Sequence, residues 1–418
     1  MLLVDPRDAG TTLGIDRVLV RRAVVDLFSW FLTHAAPRST GVEKYPRAGP
    51  AKRARSRRRT RTIDRVPAHL VAQRLAAQGL SGEPAESPEA VVRRVFAVQA
   101  QDLRAARLAV RSRSTGLTSA DLDEALTVRR SLVVTWLNRG TLHLVTAEDY
   151  PVLQAPTTPQ LATANGRRLW QEGVTPAQAE LGVQIIAEAV REGPQSREAI
   201  RERLDRAGVP TRGQALVHVL FAASIAGHVV RGPIVDGHHA FVGPVAWLGA
   251  SPPLDREAAL AVLARRYLAG HGPANARDLV KWASVTLGDA RRGFAAIAPE
   301  TEAAGGGLVS LAGAAPAARL PRPRLLGGFD PILHGWASRE ELVGRLAEVV
   351  TSNGIFRPTA LVEGRVVATW GLAGGVITLR PLAPIPVRAL AALRAEARDV
   401  LRFLGLPGRD VVVETAGR

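Results

Sequence analysis

Apolar residues recur at helical spacing along most of this chain, and short alternating runs typical of strands interrupt them. The segment "VPAHLVAQRLAAQGL", after residue 65, predicts a first helix. The next helical run, "SPEAVVRRVFAVQ", opens with Ser87 as a cap and Pro88 at the first helical position. A third helix is predicted from Asp102, and "TSADLDEAL" opens a fourth with the capping pattern Thr118–Asp121.

Two runs rich in β-branched residues follow these helices, "SLVVTWLN" and "TLHLVT". They predict a β-hairpin that turns at Arg139–Gly140. Helices followed by a hairpin are the outline of a winged helix-turn-helix unit. The outline recurs with a second hairpin, turning at Asp236–Gly237, and with a third in the glycine-rich "EAAGGGLVSLAG". Tandem units of this kind can curve around a DNA duplex.

The tail differs from the units before it, because its pattern indicates strands, a helix and a final strand. The predicted fold class is mainly α with β-hairpin wings: tandem winged helix-turn-helix units followed by a small C-terminal α/β cap. The predicted divisions are a disordered basic extension (1–64), unit 1 with the Gln-Ala-Gln motif (65–160), unit 2 (161–252), unit 3 (253–320) and the C-terminal segment (321–418).

Positive charge is concentrated near the N-terminus. The formal net charge is +17, and residues 1–66 carry 15 basic and 6 acidic side chains, a net +9. The other 352 residues are only mildly basic, which permits nucleic-acid binding without requiring it. The arginine run "RAGPAKRARSRRRTRTIDR" lacks apolar periodicity. We interpret it as a disordered DNA-binding arm or, preferably, as sequence translated upstream of the natural start, and we expect ordered structure to begin near Thr62.

Cysteine chemistry is excluded, because the chain has no cysteine. The nine histidines are scattered, and only His238 and His239 adjoin, so no spacing suggests a set of metal ligands. No run is long and uncharged enough to cross a bilayer. We therefore expect a cytoplasmic protein with no cofactor, no metal and no membrane partner.

Two uncharged amides, Gln99 and Gln101, stand at the end of an apolar helix face in "VFAVQAQDLRAARL". A buried amide costs about 1–3 kcal/mol unless it finds hydrogen-bond partners, so the pair is either a packing detail or a site. On a continuous helix the two side chains would point about 200° apart. Asp102 is a good helix cap, and a chain break at Gln101 would let both amides face one pocket.

Five phrases occur in order: "QAQDLRAARLAVRSR", "VVTWLNRGTLHLVTAEDYPVL", "YLAGHGPANARDLVKWA", "RLLGGFDPILHGWASRE" and "VEGRVVATWG". As a set they resemble the winged-helix DNA glycosylases of the AlkZ/YcaQ type, over residues 65–418. The chain departs from the family pattern at Gly327–Gly328, where a proline usually precedes "FD". The resemblance implies a concave DNA-binding body with Gln99 and Gln101 as catalytic residues of the branch that unhooks alkylpurine interstrand crosslinks. A sister branch has Asp in place of the second Gln.

The chemistry of an amide pair narrows the substrate. A glutamine amide does not titrate and is a poor general base. A cationic N7- or N3-alkylated purine leaves readily, so the enzyme mainly positions water and stabilises an oxocarbenium ion. Together with the resemblance, this predicts a monomeric, monofunctional DNA glycosylase acting on double-stranded DNA that carries alkylated bases. Strand cleavage would need an amine, and the predicted body holds only Lys281, in the apolar context "DLVKWAS".

Basic side chains near the motif are candidate DNA contacts. Arg104, Arg107 and Arg111 follow one helix face at i, i+3 and i+7. Arg139, at the first hairpin turn, would enter a groove or bind phosphate. His143 would either support the first wing or touch DNA.

Another group of residues is expected to be structural rather than functional. Asp102 is a helix cap in preference to an auxiliary base. Asp330 and His334 lie in the well-marked phrase "FDPILHGW". Trp282 and Trp370 are expected in the core rather than on a base-stacking surface.

Two other functions remain open at this point. A non-catalytic winged-helix transcriptional regulator would bind a specific sequence, usually as a dimer, and would not depend on Gln99 or Gln101. A structural or interaction protein built from winged helices would not need DNA at all. Formation of abasic sites in DNA containing 7-methylguanine separates these functions from a glycosylase.

Overall fold

The computed structural model describes residues 68–235, 237–252, 254–314, 319–344, 348–407 and 410–413. The basic extension predicted at 1–64 lies outside these described residues. Helices predominate in the described part, as expected for a mainly α fold. In chain order the helices are α1 (Ala68–Ala77), α2 (Pro88–Val95), α3 (Leu103–Arg111), α4 (Ser119–Thr127), α5 (Asp149–Thr157), α6 (Pro159–Gln171), α7 (Pro176–Ala189), α8 (Arg197–Arg206), α9 (Ala215–Ile225), α10 (Pro244–Leu248), α11 (Arg256–His271), α12 (Ala276–Ala283), α13 (Leu287–Ala296), α14 (Glu340–Val343) and α15 (Val387–Phe403).

The strands of the described residues form three small sheets. In chain order they are β1 (Val98–Gln99), β2 (Leu132–Leu137), β3 (Thr141–Thr146), β4 (Val230–Val235), β5 (His238–Val242), β6 (Thr301–Gly305), β7 (Leu308–Leu311), β8 (Arg324–Leu326), β9 (Thr359–Val362), β10 (Arg365–Ala373), β11 (Val376–Pro381) and β12 (Asp410–Val413). The sheet orders are β1-β3-β2-β4-β5, β12-β11-β10-β9-β8 and β6-β7. Neighbouring strands are antiparallel, except that β12 runs parallel to β11.

Side-chain caps fix where the helices near the Gln-Ala-Gln segment begin. The hydroxyl of Ser87 accepts from the backbone N–H of Ala90 at 3.1 Å, and Pro88 occupies the first turn of α2. Before α4, the backbone N–H of Thr118 donates to the Asp121 carboxylate at 2.6 Å. A helix start leaves backbone N–H groups without partners, and such caps satisfy them. These helices therefore begin where the sequence predicts.

A continuous buried core joins the first helices to the first sheet. It runs from Val91 in α2 to Phe241 in β5. The same sheet links the first and second hairpins, because Val134 of β2 pairs with Arg231 of β4. The boundary predicted at 160–161 therefore does not coincide with a gap in the core. The assignment of these elements to separate winged-helix units stays a prediction.

The three predicted hairpins are present as β2–β3, β4–β5 and β6–β7. Asp236, predicted in the second turn, lies outside the described residues, while Gly237 beside it has the positive φ expected there. The third hairpin forms a sheet of its own, and most of its residues are exposed or half-buried.

The C-terminal segment is a sheet covered by one helix, as the pattern of 321–418 predicts. The helix α15 buries Leu393, Ala397 and Val400 in the core formed with this sheet. Trp370 on β10 is also buried there, and its indole N–H donates to the carbonyl of Leu326 at 2.9 Å. Trp370 is therefore a core residue, as expected.

Candidate active site

The Gln-Ala-Gln segment is a short extended connection between two helices. After α2, Phe96 adopts a left-handed conformation with φ 69°, and Val98–Gln99 then form β1. Asp102 caps α3, accepting from the backbone N–H groups of Arg104 at 2.8 Å and Ala105 at 3.3 Å. The chain therefore breaks before α3 as predicted, and the structure gives Asp102 the role of a cap.

The carbonyl oxygens of both amides are occupied by fixed donors. Gln99 Oε1 accepts from Nη2 of Arg139 at 3.1 Å, and Gln101 Oε1 accepts from the backbone N–H of Leu142 at 3.0 Å. A guanidinium and a backbone N–H can only donate, so the orientation of each amide is determined chemically. The pair therefore keeps its carbonyl oxygens on the protein and has its –NH2 groups available as donors.

Strand register brings His143 next to Gln99. β1 pairs with β3 so that Gln99 lies opposite His143, and the backbone N–H of Ala100 donates to the carbonyl of Leu142 at 2.7 Å. Hydrogen-bonded and non-hydrogen-bonded pairs alternate in an antiparallel ladder, which makes Gln99 and His143 a non-hydrogen-bonded pair. Side chains are closest at such pairs, so the amide and the imidazole are cross-strand neighbours.

His143 is held as a neutral imidazole. It is 2% exposed, and its Nδ1 lies 2.9 Å from the carbonyl oxygen of Thr141, which can only accept. Nδ1 therefore carries the proton, and Nε2 keeps a lone pair. Burial lowers the pKa of His143 to about 3, with a further contribution from the charge of Arg139. At neutral pH the ring is therefore a hydrogen-bond acceptor at Nε2.

Arg139, in the turn between β2 and β3, links the Gln-Ala-Gln segment to α12 through hydrogen bonds. Besides its bond to Gln99, its Nη1 donates to the backbone carbonyl of Trp282, on α12. Burial lowers the pKa of Arg139 to about 10, and the nearby charge of Arg339 adds to the effect. The guanidinium therefore remains cationic at neutral pH. Arg139 stays a predicted DNA contact at the hairpin turn, and its hydrogen bond places it beside Gln99.

Lys281 is exposed, although its sequence neighbours are apolar. Leu279, Trp282 and Ala283 face the core from the other side of α12, and the Trp282 ring stacks on Phe96 with centroids 5.6 Å apart. The prediction that Trp282 is a core residue is thereby confirmed. Partial burial lowers the pKa of Lys281, as do the charges of Arg339 and Arg139. The apolar sequence context therefore does not make this amine inaccessible.

The three arginines predicted on one face of α3 do not share one environment. Arg104 is exposed, and Arg107 pairs with Asp123 at 2.5 Å in a partly exposed ion pair. Arg111 is 2% exposed and donates to Glu396 at 2.8 Å and to the carbonyl of Leu325.

The DNA-contact prediction for Arg111 is therefore wrong. Arg104, in the first turn of α3, is exposed to solvent. Arg111, in the last turn, is covered by the C-terminal segment and bonds to Leu325 of β8 and Glu396 of α15. His143 is 2% exposed, so its ring can meet only water or a nucleotide that enters the site beside Gln99.

Sequence reasoning missed a buried ion pair beside the site. Asp330 is 0% exposed and accepts from Arg113 through both oxygens, at 2.8 and 2.9 Å. Asp330 also caps a short 3-10 helix by accepting from the backbone N–H of Ile332. The sequence around Arg113, "AVRSRS", gives no indication of its partner, which lies 217 residues further along the chain. Asp330 is thus structural, as expected.

His334 lies in an aromatic environment. Its ring contacts Phe356, with centroids 4.3 Å apart, and stacks on Phe329 at 6.3 Å. Burial lowers the pKa of His334 well below its usual value, helped by the charges of Arg139 and Arg339. His334 is therefore neutral and belongs to the same positively charged region as the amide pair.

The departure at Gly327–Gly328 has a steric reason. A Cβ on Gly327 would lie 2.8 Å from the carbonyl oxygen of Ala105 and 2.9 Å from Cβ of Leu108, both on α3. A Cβ on Gly328 would lie 2.8 Å from the carbonyl oxygen of Phe356. Gly327 therefore lets the chain after β8 pass directly over α3, and Gly328 lets it pass beside the backbone of Phe356.

Neither a metal site nor a membrane span is found in the part of the chain that the structure describes. No three His, Asp or Glu side chains of those residues converge as metal ligands would. None of their helices is long and apolar enough to cross a bilayer.

Comparison with known proteins identifies the family. A profile of the family described as DNA glycosylase AlkZ-like matches residues 92–403. An interstrand DNA cross-link repair glycosylase of Streptomyces sahachiroi is 28% identical over 353 residues, covering 78% of this chain and 93% of that protein. The solved structure of Streptomyces sahachiroi DNA glycosylase AlkZ matches with a TM-score of 0.69 at 24% identity, covering 83% of this chain and 99% of that chain, which shows a shared fold. The chain therefore belongs to the AlkZ-like DNA glycosylase family.

Proposed function

We propose that this protein is a monofunctional DNA glycosylase that hydrolyses the N-glycosidic bond of cationic alkylated purines in double-stranded DNA, and unhooks interstrand crosslinks formed by such purines. The observation that carries the proposal is the amide pair, Gln99 and Gln101, fixed beside the neutral His143. Family membership, and a Streptomyces relative named as an interstrand DNA cross-link repair glycosylase, support a DNA substrate.

In the proposed reaction, the attacking water is held by the two amides as hydrogen-bond donors and by the imidazole of His143 as acceptor. The –NH2 groups of Gln99 and Gln101 donate to the water oxygen and to acceptor atoms of the damaged nucleotide. Nε2 of His143 accepts one water proton, which leaves a lone pair of the oxygen directed at C1′ of the sugar. The proton becomes strongly acidic only as the bond from oxygen to C1′ forms, so a weak acceptor is sufficient.

The substrate provides the remaining driving force. A purine alkylated at N7 or N3 carries a positive charge and departs as a neutral base, so no general acid is needed. Neutral amides also add no charge that must lose its hydration when the nucleotide enters. An unmodified purine carries no positive charge and would have to depart as an anion, so such a site would excise it slowly. The proposed specificity therefore follows from what the site lacks as well as from what it holds.

The test is single-turnover excision from a duplex with one 7-methylguanine, measured as abasic sites. Changing Gln99 or Gln101 to Ala should slow excision by roughly 10²-fold or more, the scale of losing a positioned polar group. DNA affinity should change little, because phosphate contacts supply most of it. Gln101→Asp should retain activity in altered form or on shifted lesions, since it introduces a carboxylate base.

Gln184→Ala is the matched control, because this amide is exposed on α7. Every variant is compared by melting temperature, so that loss of folding is distinguished from loss of chemistry. If folded Gln99→Ala and Gln101→Ala proteins excise at the wild-type rate, the amide pair is structural. A transcriptional regulator would instead bind one DNA sequence tightly and leave 7-methylguanine in place.

A further inference from the structure

Among the residues that the structure describes, three cations near the amide pair have no carboxylate partner. They are Arg139, Lys281 and Arg339, called here the cation cluster. In the regions that the structure describes, none of the three lies within ion-pair distance of an Asp or Glu. Other basic side chains nearby are neutralised, as Arg113 is by Asp330 at 2.8 Å. The cluster is therefore an uncompensated concentration of positive charge.

The protein holds these cations in place by contacts other than ion pairs. Arg139 donates to Gln99 and to the carbonyl of Trp282, the residue that follows Lys281 on α12. The guanidinium of Arg339 lies over the Phe356 ring, 5.2 Å from its centroid. Phe356 in turn packs on His334. Two of the three side chains are thus fixed by groups that leave their charge available.

The members of the cluster are close enough to disfavour one another's charge. After burial, the next cause that lowers the pKa of Arg139 is Arg339, and those that lower the pKa of Lys281 are Arg339 and Arg139. Like charges brought together at reduced dielectric destabilise the unliganded protein. An anion bound among the three would reverse that effect.

We infer that the cation cluster binds a backbone phosphate next to the damaged nucleotide, and so positions the sugar over Gln99 and Gln101. The inference rests on the proposed function and extends it. Arg139 has further N–H donors beyond the two bonds described, and guanidinium and ammonium groups both bind phosphate strongly. Arg139 thereby connects the phosphate directly to the carbonyl oxygen of Gln99.

A phosphate at this place also removes an electrostatic conflict. Three unpaired cations would repel both a cationic purine and the oxocarbenium ion that forms from its sugar. One bound phosphodiester offsets much of that positive potential just where the positive charge develops. The site is therefore complete only with the DNA backbone in place, and a free alkylated nucleoside such as 7-methylguanosine should not be hydrolysed.

The test measures binding to a duplex with a tetrahydrofuran abasic analogue, which cannot be hydrolysed, by fluorescence anisotropy. Lys281→Ala and Arg339→Gln should each weaken binding roughly 10-fold, as expected for a lost charge-assisted contact. Each should also reduce the slope of log affinity against log salt by about 1. Arg394→Ala is the matched control, because Arg394 is exposed on α15 and far along the chain from the cluster.

Neutral methylphosphonates, placed one at a time at the phosphates flanking the analogue, identify the partner. At one position, the methylphosphonate should weaken binding of the wild-type protein about as much as Lys281→Ala weakens binding of the unmodified duplex. The same methylphosphonate should weaken binding of the Lys281→Ala protein little further. The inference would be overturned if the losses of affinity from the methylphosphonate and from the variant multiplied at every position. It would also be overturned if Lys281→Ala and Arg339→Gln bound as tightly as Arg394→Ala. The wild-type scan alone decides the matter if a variant does not fold, because no effect at any flanking phosphate also overturns it.

Binding to the analogue is independent of catalysis, so the two proposals fail separately. A protein that binds through the cluster but never excises 7-methylguanine would lose the proposed function and keep the phosphate site. A protein that excises normally, with cluster variants unaffected in binding, would keep the function and lose the phosphate site.

Discussion

The charge state of the groups around Gln99 determines how excision should respond to pH. Burial lowers the pKa of His143 to about 3, and the two amides do not titrate. His143 is therefore unprotonated, and able to accept, throughout the range from about pH 5.5 to 8. We expect the single-turnover rate on 7-methylguanine duplex to stay constant within about twofold over that range, at fixed ionic strength. A rate that falls on acidification through a midpoint near that of a solvated histidine, about 6.5, would show that burial does not keep His143 neutral over this range.

Lys281 gives the monofunctional proposal a demanding test. Its amine is exposed and has a lowered pKa, two properties that favour attack on the C1′ aldehyde of an abasic sugar. A phosphate bound by the cluster would instead keep the amine protonated and unreactive. We expect borohydride treatment during excision to trap no protein–DNA adduct, and the abasic product to stay intact until alkali is added.

Lys281→Arg is the control for this experiment, since it keeps the charge and cannot form a Schiff base. Because the charge is kept, it should still bind the abasic analogue and excise 7-methylguanine. An adduct that forms with the wild-type protein and disappears in Lys281→Arg would make the enzyme bifunctional.

Individual residues show what local sequence can and cannot predict about the site. The chain break at Gln101 was predictable, because Asp102 is a strong helix cap whatever surrounds it. The partners of the amides were not, because Arg139 reaches Gln99 only once β1, β2 and β3 are in register. Arg111 was misassigned for the same reason: periodicity gives the face of a helix, and tertiary packing decides which part of that face meets solvent.

At the scale of elements, α3 connects the amide pair to the rest of the fold. Its N-terminal end follows the amide pair, and just beyond its C-terminal end Arg113 binds Asp330 in a fully buried pair. Asp330→Asn leaves the guanidinium buried without its counter-charge, which typically costs about 3–5 kcal/mol. We expect the free energy of unfolding, measured in urea, to fall by about that much.

The comparison for this prediction is another pair made by α3. Asp123→Asn removes the partner of Arg107, but that pair is partly exposed to water. Its loss should lower the free energy of unfolding by about 1 kcal/mol at most. Equal effects of the two substitutions would mean that burial does not determine the strength of these contacts.

The sequence predicted most elements and little of their assembly. Helix caps and alternating strands are local signals, so α2, α4 and the three hairpins lie where the pattern indicates. The joining of the first two hairpins into one sheet depends on the single pairing of Val134 with Arg231, which no local pattern encodes. The need for Gly327 and Gly328 likewise could not be predicted, because it follows from the distances between a Cβ at each position and its tertiary neighbours, Ala105 and Phe356.

Over the whole molecule, net charge is a poor guide to where DNA would bind. Much of the positive charge of the described residues is neutralised in pairs such as Arg107–Asp123, Arg111–Glu396 and Arg113–Asp330. The cation cluster stands out because its members lie near one another and near Gln99, with no carboxylate partner among the described residues. Specific engagement of a damaged nucleotide is thus proposed to depend on a few unpaired groups near Gln99 rather than on the overall charge of +17.

The N-terminal extension provides the last test, because residues 1–66 carry a net +9, more than half of the total charge. Exposed arginines would act mainly through release of counterions, which is independent of sequence and disappears as salt rises. Deleting residues 1–61 should therefore leave melting temperature and single-turnover excision unchanged, and weaken affinity for undamaged duplex only at low salt. The full-length protein, measured at the same salt concentrations, is the reference. A truncated protein that does not fold, or that loses excision on a tightly bound 7-methylguanine duplex, would show that the extension belongs to the working enzyme.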